Sequence, residues 1–194
     1  LNTFQPDRDR FDDFEPELAA DMKQETLAFF KELAWTRQRP LSELFNAQFT
    51  YATPRLARHY GLKPLGPGLR RYDLAQVAAR GGLLTHGSTL TIGGDDASMV
   101  TRGLFLMQNL LRGVVKDPPA GLDTTPVPPR PGLSHRGAAQ QRIEDRSCGG
   151  CHSKFEPLAF GLEKYDGLGT FKVKDHHGNS LREDGEVLFP GDAK

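Results

Sequence analysis

The chain holds only two cysteines, and they stand three positions apart with a histidine directly behind them: Cys148-Gly149-Gly150-Cys151-His152. No other stretch constrains the chain as strongly. A disulfide scaffold for a secreted fold needs several bridges spread along the sequence, which this pair does not offer. Two thiols separated by two residues reach the two vinyl groups on one edge of a porphyrin. The adjacent imidazole is then carried beneath the ring, where a neutral nitrogen binds iron. The pattern points to one covalent haem c, with Cys148 and Cys151 forming thioethers and His152 as proximal iron ligand. The intervening glycines allow a tight backbone between the sulfurs.

Three other readings of the pair stay open. A redox dithiol has the same CxxC spacing but normally sits in a strand-to-helix context with a different flank. Half of a zinc site would have to draw on His176 and His177, whose adjacency departs from the usual H-x₃₋₅-H spacing, and no second CxxC exists. Chance occurrence in a glycine-rich chain is the third. The histidine after the second cysteine favours haem.

At 194 residues, with 37% hydrophobic and 26% charged residues, the composition is that of a soluble, globular chain with one sizeable core or one domain plus appended elements. Lys plus Arg equals Asp plus Glu at 25 each, which removes any argument for nucleic acid or an anionic membrane surface as partner. No apolar run is long enough to span a bilayer, so no transmembrane segment is expected. The first residue is Leu and no leader precedes it, which fits a mature or excised fragment and is compatible with export.

The pattern of apolar spacing and breakers predicts a mainly α fold. Residues 1–13 are polar and loosely held. A helix opens at Asp13-Pro16 and runs to about Trp35 on Leu18, Met22, Phe29, Phe30 and Leu33. A second spans Leu41–Phe49, and a third starts at Thr53-Pro54 and stops at Gly61. Residues 63–72 read as a connector. Ser98 caps a helix with Met99, Gly103, Leu106, Met107 and Leu110 on one face, and Ser134 caps a polar helix leading to Arg146. Val115–Gly132 is proline-dense and extended, a surface strap. Pro157–Tyr165 suits a short helix, and 171–190 reads as a hairpin that returns through Val187 and Phe189. Three regions follow: an N-terminal helical layer over 1–62, a haem-binding module over 63–170 and a C-terminal hairpin extension over 171–194.

Phe155, Leu158, Phe160, Leu162 and Tyr165 supply apolar walls near the motif. The opposite axial position of the iron is open to several residues. His86, Met99, Met107, His135, His176 and His177 are available, whereas Met22 and His59 belong to a separate helical region. Met99, at a helix start, and His86, in a glycine-flanked loop, are the two candidates for distal ligand; an open sixth position is the alternative. Arg102 is a candidate partner for a haem propionate, against the reading of a plain surface arginine.

Beyond these motifs, residues 81–91 (GGLLTHGSTLT), 98–111 (SMVTRGLFLMQNLL), the strap PVPPRPG and 147–172 (SCGGCHSKFEPLAFGLEKYDGLGTFK) occur together in this order. In this the chain resembles the cytochrome-type module, a domain of unknown function, near the C-terminal end of large planctomycete-type secreted haem proteins. Residues 25–62 resemble the end of the preceding domain in those proteins, and 178–191 the start of the following one. The resemblance implies a cytochrome c-like haem domain and supports the roles of Cys148, Cys151 and His152. Arg102-Gly103, Pro157 and Asp166 match its pattern without a role. Two positions depart: Met99 replaces the proline of a Ser-Pro-Val, and Arg142 stands where a histidine often precedes the cysteines.

The function expected is electron transfer between extracytoplasmic redox partners, among them other haem domains of a larger assembly. A haem enzyme with an open distal site, peroxidase-like, and a structural haem module are the alternatives. Because haem of this kind is attached after export, the expected location is periplasmic or extracellular.

Overall fold

A computed structural model of the chain describes residues 5–12, 14–182 and 184. The chain packs into two compact units: Leu1–Asp95 with Gly167–Phe171, and Asp96–Asp166 with Lys172–Lys194. Most regular structure is helical, with one two-stranded antiparallel sheet. Among the described residues no helix is long and apolar enough to cross a membrane.

The first unit opens with α1 (Pro16–Phe30), which Pro16 starts because its missing N–H costs nothing in a first helical turn. The cap position is Glu15, in extended conformation; Asp13, expected there, lies outside the described residues. A π-helical turn (Lys31–Thr36) continues α1. The apolar face ends at Leu33, and Trp35 is 72% exposed. Next come α2 (Glu43–Asn46), β1 (Phe49–Ala52), α3 (Pro54–His59), β2 (Arg70–Asp73) and, after a 3-10 turn, α4 (Gly87–Leu90). Thr53 caps α3 by accepting from Leu56 N, and Gly61, at φ 72°, stops it as expected.

Two expectations are corrected here. The helix read over Leu41–Phe49 shrinks to Glu43–Asn46, and Phe49 begins a strand instead. Leu41 and Phe45, counted on its apolar face, point to solvent, while the aromatic and β-branched run Phe49-Thr50-Tyr51 suits a strand. Its partner begins inside the supposed connector and ends one residue beyond it: Phe49 pairs with Asp73 and Ala52 with Arg70. Only Tyr72 of that partner strand is buried, so Arg70-Arg71-Tyr72-Asp73 carries almost no strand signal of its own. The core of this unit joins Leu18 and Met22 of α1, Leu56 of α3 and Tyr72 of β2 to Leu168 from the returning segment.

The second unit is built on α5 (Met99–Phe105), α6 (His135–Glu144) and α7 (Gly149–Phe155). A π-helical turn (Leu106–Leu110) extends α5, and a 3-10 segment (Glu156–Leu162) extends α7. Ser98 and Ser134 cap α5 and α6 as read from sequence, accepting from Thr101 N and Gly137 N. The strap between α5 and α6 is largely exposed, and Asn179 fastens its end: Gly132 N donates to Asn179 Oδ1 at 2.7 Å, and Asn179 Nδ2 to Arg130 O at 3.0 Å. The expected C-terminal hairpin reduces, within the described residues, to a turn around Asp175 closed by one bridge between Lys174 and Ser180. Its return through Val187 and Phe189 lies outside them.

Candidate functional site

The cysteine cluster sits at the junction of α6 and α7. Asp145, at the end of α6, accepts from Ser147 N at 2.8 Å and from Cys148 N at 3.0 Å, while its carbonyl takes Gly149 N at 2.7 Å. That turn makes Cys148 the cap of α7 and lays Cys151 and His152 on its first turn, both N–H groups bonding back to Cys148 O at 3.1 Å. The two glycines differ in function. A Cβ on Gly149 would lie 2.2 Å from Ile143 O, so the close approach of α7 to α6 depends on its absence. A Cβ on Gly150 would meet nothing within 4 Å.

Both cysteines are free thiols, partly exposed. Partial burial and the Asp145 carboxylate push the Cys148 thiol above its ordinary range. For the zinc reading, among the described residues no group of three or more His, Cys, Asp and Glu side chains is gathered to hold a metal ion.

His152 is held on two sides. The Phe155 ring lies 5.1 Å from its own, and Nδ1 is 2.5 Å from Glu156 Oε1. Glu156 is completely buried and gripped by Arg142 from α6, with Nε donating to Oε1 at 2.8 Å and Nη2 to Oε2 at 2.7 Å. An ionised carboxylate accepts only, so Nδ1 is the donor in this pair, and in the neutral ring the lone pair then lies on Nε2. Nε2 makes no hydrogen bond among the described residues. Two free thiols thus stand one helical turn apart, followed by an imidazole whose Nδ1 is engaged by a buried carboxylate, residue types that fit a covalently held haem.

The other predicted residues are placed as follows. Met99, buried in the same unit, packs with Ala139, Ala159 and Phe160 as a core side chain. His86 belongs to the first unit, where its Nδ1 lies 3.2 Å from Thr26 Oγ1. Arg102 is not a surface arginine. It is 2% exposed and donates to the carbonyls of Leu162, Tyr165 and Asp166 at 3.1, 2.8 and 2.8 Å, tying down the end of the 3-10 segment. Burial lowers its pKa to about 10. Phe155, Phe160, Leu162 and Tyr165 are buried and Leu158 partly so. Sequence reasoning missed the Glu156–Arg142 pair. Glu156 was within reach of it, four residues after His152 and so on the same helical face; Arg142, on another helix, was not.

Residues 80–175 match a family model described as PSCyt3, a protein of unknown function (DUF1588). Residues 1–62 match one described as PSD4, a protein of unknown function (DUF1592). No curated protein and no solved structure matches the chain.

Proposed function

We propose that the chain is an exported c-type cytochrome that passes electrons between redox partners, other haem domains of a larger assembly among them. The observation that carries this reading is the bond from His152 Nδ1 to Glu156, which would leave Nε2 to bind iron beside two free thiols. The PSCyt3 label, which suggests a cytochrome-like domain, supports it. Cys148 and Cys151 would hold one haem c through thioethers, and His152 would bind its iron. The bound group supplies one-electron exchange. The chain's own residues do the rest: Asp145 and Gly149 fix the turn that presents the sulfurs, and Phe155 and Glu156 orient the imidazole. Met99, in the same unit, is the side chain to test as second axial ligand, and it would have to leave its core contacts to act as one.

The test is production of the chain in a bacterium equipped for c-type haem maturation, followed by intact mass and absorption spectra. One tetrapyrrole per chain is expected, lost in the Cys148→Ser/Cys151→Ser double variant. A low-spin spectrum supports electron transfer, and a Met99→Ala variant that turns high-spin assigns the sixth ligand. A high-spin, ligand-binding wild type favours the enzymatic alternative. A colourless product without added mass overturns the haem reading.

A further inference from the structure

Most histidines are free to place their proton on either ring nitrogen; His152 is not. Its Nδ1 faces the Oε1 of a carboxylate that has no exposure to water, and that carboxylate cannot turn away. Arg142 holds both of its oxygens in a planar fork, the strongest and most directional ion-pair geometry available to side chains. The backbone around it is equally confined. Gly149 lets α6 lie against α7, with Ile143 O where a Cβ would be, and Gly103 of α5 packs against Phe155 O and the Glu156 backbone at distances that exclude any larger residue. Arg142 from α6 and His152 from α7 thus meet on one carboxylate, whose backbone is packed against α5.

We propose that Glu156 is a positioning residue for His152, locked by Arg142, and that it sets the electron-donating strength of the iron ligand. The inference rests on the haem reading given above. A hydrogen bond from Nδ1–H to a carboxylate fixes the tautomer, holds the ring orientation and raises the basicity of Nε2. A more basic ligand stabilises ferric iron over ferrous, so Glu156 lowers the reduction potential. The burial of Glu156 makes the effect large, because little water screens the interaction.

The test compares haem-loaded wild type with Glu156→Gln, which keeps the shape and removes the charge. Loss of such an outer partner typically changes metal-site properties about 10- to 100-fold. The reduction constant is therefore expected to rise at least about tenfold, which for a one-electron couple is an upward shift of about 59 mV. The iron–histidine vibration of the ferrous protein should move to lower frequency in the same variant. Should that variant fail to fold, the wild type still decides: proton NMR must show a His152 Nδ1–H protected from solvent exchange. A variant that is less stable but keeps the wild-type potential and vibration, or a wild-type Nδ1–H that exchanges freely, overturns the inference while leaving haem attachment standing. A chain whose mass lacks the tetrapyrrole overturns the haem reading instead.

Discussion

His86 Nε2 lies 4.0 Å from Glu25 Oε1, and both side chains are buried inside the first unit. Thr50 donates to one oxygen of Glu25 and Tyr60 to the other, while Tyr60 accepts from Gly87 N and carries the Arg80 guanidinium 3.5 Å from its ring centre. Among the described residues Nε2 of His86 has no hydrogen-bond partner. Burial raises Glu25 to a pKa of about 7 and lowers His86 to about 3, so both are neutral in mildly acidic solution: an acid and a base that face each other without forming an ion pair.

Stability should respond to pH through these two groups in opposite senses. Glu25 keeps its proton to about pH 7 when folded but releases it near 4.5 when unfolded, so its contribution is complete below 4.5 and lost as pH rises to 7. Folded His86 stays neutral down to about pH 3, whereas the unfolded ring takes a proton near 6.5; its contribution is complete above 6.5 and lost as pH falls to 3. Between 4.5 and 6.5 the two cancel and a plateau is expected. Glu25→Gln should replace the plateau with a rise, gaining roughly 3 kcal/mol on wild type between pH 4.5 and 8. Urea denaturation across that range checks this, and parallel curves for the two proteins would refute it.

The two glycines between the cysteines should separate under substitution. Gly149→Ala places a methyl against Ile143 O and should cost about 1–3 kcal/mol by forcing α7 from α6. Gly150→Ala enters open space within a helix and should be neutral or stabilising by about 0.5–1 kcal/mol. Thermal unfolding of both variants gives the comparison, and equal effects would mean that the α6–α7 approach is not tight.

Arg102→Met should be among the more damaging single changes in the second unit. It removes the guanidinium donor from the carbonyls of Leu162, Tyr165 and Asp166, of which Leu162 O keeps the bond from Tyr165 N at 3.1 Å, at a cost of about 1–3 kcal/mol. In chain matured with haem as proposed above, haem content at low temperature is expected to stay near wild type, because the Arg102 guanidinium already donates to backbone carbonyls. Full stability with loss of haem would return Arg102 to a propionate.

Ser98→Ala and Ser134→Ala should each cost about 1 kcal/mol, since each removes the acceptor for a first-turn N–H. Denaturant midpoints should fall with unchanged slopes, and an unaffected midpoint would show that water replaces the cap.

What the sequence by itself determined is short-range. The cysteine–histidine cluster lies within five residues, and the caps at Thr53, Ser98 and Ser134 act on N–H groups three positions away. Gly61 and Pro16 mark helix ends through their own backbone preferences. Such features are set by a few bonds and survive any tertiary arrangement. Tertiary packing decided whatever joins distant residues. Phe49 became a strand only because Asp73 stands opposite it, 24 positions along. Arg102, polar in any list, is buried because three carbonyls converge on it, and Arg142 reaches His152 only through a carboxylate on the next helix. Burial and charge pairing across such separations depend on where the chain returns in space, and no local spacing encodes that.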